Sequence, residues 1–167
     1  MQNCIFEITK NPVKESDQLK NENVCCDDPF RGKVEWMSDV STKADREDAV
    51  FVLFEKLKNN CAPFFVVKAR ENDAYSFYFK DGFKEAYFEQ RYQQFETAKS
   101  ELLKNINLEN FSNGTLSYLV HRLDEAYEQE YDIFIFEYGE FTTLDHFIRH
   151  ASANTVYYLG GIMDYHV

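Results

Sequence analysis

Hydrophobic and polar positions alternate weakly over residues 4–9, which reads as a first strand. Residues 11–28 break that pattern with polar and charged positions and Pro12, which predicts a long excursion or mobile loop. A short strand is expected over 33–37 around Trp36. Thr42 followed three residues later by Asp45 is a helix start, because the threonine oxygen accepts an otherwise unpaired amide. Val50, Leu53, Phe54 and Leu57 then recur at helical spacing, and Asn59-Asn60 closes the helix.

Residues 64–69 and 75–79 are runs of β-branched and aromatic residues joined by Glu71-Asn72-Asp73-Ala74, which predicts a hairpin ended by Asp81-Gly82. Phe88, Tyr92, Phe95, Leu102 and Ile106 form the apolar stripe of a long helix over about 84–104. Asn113-Gly114-Thr115 opens another helix with the stripe Leu116, Leu119, Val120, Leu123 and Tyr127. The run 133–138, apolar but for Glu137, predicts a central strand covered on both faces. Thr142 and Asp145 repeat the threonine-to-acid cap and start a short helix ending near His150. Residues 155–159 and 162–167 flank Gly160-Gly161 as a terminal hairpin. Clustered hairpins and helices make this an α+β fold: one domain over 1–167, with a mixed, mostly antiparallel sheet packed against about four helices.

Composition adds limits to that picture. Hydrophobic residues make up 44% of the 167 positions and aromatics 17%, which excludes a disordered chain. No run approaches the length of about 18 apolar residues that spans a membrane. The first residues lack the pattern of a signal peptide, so a reducing cytoplasm with free thiols is expected. Cys4, Cys25, Cys26 and Cys61 match no zinc spacing. With six glycines and no glycine-rich phosphate motif, a nucleotide cradle is excluded.

The net charge of −11 is unevenly spread. Ten acidic residues and only two basic ones, Arg122 and Arg149, lie in 107–167. That field repels nucleic acid and anionic membranes and attracts basic surfaces. Asp124, Glu125, Glu128, Glu130, Asp132, Glu137 and Glu140 are the candidate protein-binding face. Such a surface presents phosphate-like charge to a basic partner, such as a nucleic-acid-binding protein, as DNA-mimic or immunity-type inhibitors do; the plainer alternative is a solvated acidic face. Salt-sensitive association and apolar contact from tyrosines would follow.

Two further constellations are weighed beside it. His146 and His150 share one helix face at i, i+4 and, with Asp145 or Glu140, offer a divalent-metal site for a small metal-dependent enzyme or binding domain. The segment lacks the glutamate that serves as base in zinc hydrolases. Nine aromatics fall between Tyr75 and Phe95, a surplus suited to a homodimer interface or an apolar-ligand pocket, or to a phenylalanine-rich core. No catalytic residue is assigned, and no cofactor other than that metal is implied.

Overall fold

Seven strands form one mixed sheet in the computed structural model, which describes residues 3–24, 34–71, 74–128 and 133–166. They are β1 (Asn3–Thr9), β2 (Trp36–Asp39), β3 (Phe65–Glu71), β4 (Ala74–Phe79), β5 (Phe134–Glu137), β6 (Glu140–Thr143) and β7 (Tyr157–His166). The helices are α1 (Lys43–Cys61), α2 (Phe83–Asn105), α3 (Leu108–Ser112), α4 (Thr115–Glu128) and α5 (Leu144–His150). The strand order is β3-β4-β7-β1-β5-β6, and β2 shares an edge of β7 with β4. Only β1 and β5 run parallel, so the expected α+β class with a mostly antiparallel sheet holds.

Alternation along the strands divides the interior in two. Cys4, Phe6 and Ile8 of β1 face α1 and α5 with Val50, Leu53, Leu57, Phe77, Phe79 and Phe147. Ile5 points the other way, into a smaller cluster with Leu19, Val24, Met37, Met163 and Tyr165. The polar excursion thus supplies the cover for the second face. It carries two short 3-10 turns, Glu15–Asp17 and Asn21–Asn23, with Leu19 and Val24 buried. Its expected continuation through 25–28, including Cys25 and Cys26, lies outside the described residues.

The terminal hairpin does not form. Gly160 and Gly161 lie inside β7, which runs unbroken for 10 residues. Phe6 pairs with Ile162 and Ile8 with Leu159, so both glycines stand opposite the single residue Glu7. This bulge shifts the strand's phase: Tyr157 and Leu159 face the helices before it, Ile162 after it. Glu7 Oε2 accepts from the Gly161 amide at 2.6 Å and the Leu19 amide at 2.8 Å. The Gly160 carbonyl, displaced by the bulge, accepts from Arg46 Nη2 at 2.6 Å. A methyl group on Gly160 would overlap the Glu7 carboxylate, and one on Gly161 the Leu19 carbonyl. Two adjacent glycines therefore mark close backbone approach here, not a turn.

Other boundaries move for local reasons. Thr42 caps α1 as expected, accepting from the Asp45 amide, but the helix continues past Asn59-Asn60 to Cys61, which is buried. Residues 72–73 of the predicted β3–β4 turn lie outside the described residues, while Glu71 and Ala74 pair across it. On α2 the buried residues are Phe83, Tyr87, Arg91 and Ala98, so the covered face is rotated from the stripe read in the sequence. Phe88 and Phe95 are half-buried, and Tyr92 is exposed.

The 133–138 run is an inner strand but not a central one, since only β6 separates it from the sheet edge. Tyr138 and Gly139, both at positive φ, make the two-residue turn from β5 to β6. That turn recruits Thr142 into β6, and Thr143 becomes the α5 cap, accepting from the His146 amide at 3.2 Å. No helix among the described residues is long and apolar enough to cross a membrane.

Candidate functional site

The acidic residues of α4 point outward, as their spacing from Leu119 dictates. Asp124, Glu125 and Glu128 are exposed, while Leu119 is the helix's one buried residue. The remaining apolar stripe is covered less than its period implies. Val120 is 53% exposed and Tyr127 68%, and Tyr118 on the far side is also exposed. The outer surface of α4 therefore mixes carboxylates with aromatic and aliphatic groups. At one end it adjoins exposed Leu108 and Phe111 of α3, with Leu103 of α2 also exposed.

Basic residues contribute little to this surface. Arg122 pairs with Glu101 of α2 at 2.6 Å, across the α2–α4 contact. His121 lies 3.4 Å from Glu125 and neutralises it only when protonated. Glu130 and Asp132 lie outside the described residues. Glu140 is exposed in β6, and half-buried Glu137 has its carboxyl pushed above the usual range by burial, opposed by Lys10 and His150.

The histidines of the predicted metal site are adjacent. The His146 and His150 rings are 4.2 Å apart between centroids, and His150 Nδ1 lies 2.9 Å from the His146 carbonyl oxygen. Partial burial, then His150 and Arg149, hold His146 below the ordinary imidazole value. Asp145 uses its carboxylate elsewhere. Oδ1 accepts from Tyr87 at 2.6 Å and from Arg91 Nε at 3.2 Å, and Oδ2 accepts from Arg91 Nη2 at 3.4 Å. Among the described residues no group of three or more His, Cys, Asp or Glu is placed to hold a metal ion. The described thiols, Cys4 and Cys61, are both pushed up to about 12 by burial, with Asp164 adding to the effect at Cys4. Neither is a ready nucleophile at neutral pH.

Missed in the sequence was the ion pair that joins α2 to α5. Arg91 is buried, 8% exposed, and completes its bonding through the Gln94 side chain and the Tyr127 carbonyl. Lys56 of α1 feels the same centre. Burial first, and then Arg91, lower its amine to about 8, with Asp145 opposing. Beside Arg91 lies a cleft of about 560 Å³ between α2, α4 and α5. Phe88, Tyr92, Phe95 and Tyr127 line it, with Arg149 and Glu128 also on its walls. Part of the aromatic surplus between Tyr75 and Phe95 is thus used in a concave surface. Of the rest, Tyr75, Phe77, Phe79, Phe83 and Tyr87 are core, and Tyr78 is half-buried.

The chain matches no family model, no curated protein and no solved structure.

Proposed function

We propose that this protein is a non-enzymatic binding protein whose acidic C-terminal third engages a basic protein partner, in the manner of a DNA-mimic or immunity-type inhibitor. The observation that carries the reading is the outer face of α4, where Asp124, Glu125 and Glu128 stand exposed beside Tyr118, Val120 and Tyr127. A helix that only needed to be soluble would intersperse lysines and cover its apolar side chains. Carboxylates attract and orient a basic surface at long range, and tyrosines with aliphatic neighbours supply contact area once water is expelled.

Charge reversal at Glu125, Glu128 and Glu130 tests this reading. Immobilised wild-type protein should retain a basic protein at low salt and release it at moderate salt. The retained protein, once purified, should bind the wild type directly and the reversed variant at least about tenfold more weakly, each lost charge pair being worth a fraction of a kcal/mol or more. Equal binding by both forms removes the proposal. The metal reading has less support, because Asp145 is directed to Arg91 and Tyr87. Elemental analysis of purified protein, with and without His146→Ala, separates the two.

A further inference from the structure

The cleft between α2, α4 and α5 combines features beyond those of the acidic face. Tyr92 and Tyr127 are 61% and 68% exposed although they line a concavity, and the Phe95 and Tyr127 rings stand 6.0 Å apart and tilted. Aromatic walls left open to water favour a flat apolar occupant. The charges around the cleft narrow its chemistry further. Arg91 and Arg149 line it with two carboxylates, Asp145 and Glu128. Lys56 lies close enough to Arg91 and Asp145 to be influenced by both charges.

Two arginines thus line the cleft with two carboxylates, in a chain whose net charge is −11. Arg149 is one of only two basic residues in 107–167, and the other, Arg122, is paired with Glu101. The Arg149 guanidinium sits 5.2 Å from the centroid of the Phe88 ring, while the residue's carbonyl accepts from Lys84 Nζ at 2.8 Å. The aromatic wall therefore has a cation at its border, held over a ring and exposed to solvent. Arg91 makes its bonds to Asp145, Gln94 and Tyr127 and contributes positive potential from below.

We infer that this cleft binds a small planar aromatic carboxylate, its ring between the Tyr92, Phe95 and Tyr127 side chains and its carboxylate on Arg149. The site lies beside the acidic face and shares Glu128 and Tyr127 with it. A ligand of this class needs one charge-assisted contact and one stacking surface, and the cleft supplies both. Its volume is within the ordinary range for small-molecule pockets.

The probe is 2-naphthoate, titrated into the full chain and followed by its own fluorescence, with 2-naphthylmethylammonium and inorganic phosphate as companions. Saturable naphthoate binding with a Kd on the order of 0.1 mM is expected. Arg149→Ala and Tyr92→Ala should each weaken it about tenfold or more, and Asp124→Lys should not weaken it. Arg149 and Tyr92 are exposed, so both variants should fold, which circular dichroism checks. Absence of saturable binding overturns the inference, as does unchanged binding by Arg149→Ala. Tighter binding of the ammonium probe would also overturn it, making the cleft a receptor for basic side chains. Displacement of naphthoate by phosphate at equal concentration would reduce the site to a bare cation cluster and overturn it equally.

Discussion

Glu7, buried in the sheet, and Asp145, partly buried on α5, have partners that differ in kind. Glu7 receives main-chain amides, from Leu19 and Gly161. Asp145 receives side chains, the Tyr87 hydroxyl and the Arg91 guanidinium. Main-chain donors are positioned by the fold itself, so Glu7 holds the excursion, β1 and the β7 bulge in one geometry. Side-chain donors can adjust, and those of Asp145 border an open cleft. A closed carboxylate serves the fold, whereas an open one can also tune a neighbouring surface.

The largest expected effect is at the closed site. Gly161→Ala would drive a methyl group into the Leu19 carbonyl, which is backbone and cannot rotate away. We expect a loss of about 3 kcal/mol in urea unfolding, at the upper end for overpacking, with faster hydrogen exchange at the Leu19 amide. A loss below about 1 kcal/mol would mean that the clasp adapts and that the contrast between the two carboxylates is weaker than drawn.

At the open site, Asp145→Asn should cost about 2 kcal/mol. Removing one partner of a fully enclosed ion pair costs more, but water in the cleft can reach part of what remains. A loss as large as at Gly161 would make Asp145 as closed as Glu7. The same centre gives a pH signature through Lys56, whose amine is lowered to about 8 from 10.5. Between those values the unfolded chain carries a proton that the folded protein has released. Raising the pH through this window therefore stabilises the fold, and lowering it removes that gain. Cys4 and Cys61, pushed up to about 12, act with the opposite sign above pH 9. The difference between wild type and Lys56→Met isolates the lysine. Wild type should gain on the variant from pH 8 to 10, and parallel curves would mean that burial and Arg91 do not lower the Lys56 amine.

How much of this was legible in the sequence differs between the same two regions. Local signals carried the helices: Thr42 with Asp45, and the Val50–Leu57 spacing, mark α1 correctly. The bulge was not legible, because two adjacent glycines signal a turn unless the partner strand is known. Opposite Glu7 they instead permit close approach. Arg91 was hidden for a similar reason. A charged residue within an apolar period reads as surface until a carboxylate 54 positions away is brought beside it. The exposed acids of α4 were legible because solvent-facing positions depend only on their own helix. The open aromatics were legible only as a surplus between Tyr75 and Phe95, since which of them are buried depends on what packs against them.

A smaller and sharper test concerns the α5 cap. Thr143→Ala removes the acceptor of the His146 amide and should cost about 1 kcal/mol. Thr142→Ala removes only a long contact of 3.4 Å to the Ile135 carbonyl and should cost less than half as much. Because α5 carries Asp145 and Arg149, fraying at this cap should also weaken any occupant of the cleft. The reverse ranking would restore Thr142 as the cap and shift the start of the helix by one residue.

The smallest effect on stability is expected at the outer face of α4. Glu125 and Glu128 are exposed, and the one ion pair shown for them, His121 with Glu125 at 3.4 Å, joins side chains that are both more than half exposed. Reversing both charges should change unfolding free energy by no more than about 0.5 kcal/mol. Loss of the His121 contact is offset by relief of like-charge repulsion between Asp124 and Glu128, four residues apart. Near-neutral stability would leave association as the only property that depends on these carboxylates. A loss above about 1 kcal/mol would instead tie them to the fold, and the acidic face would then differ from the Glu7 clasp in degree alone.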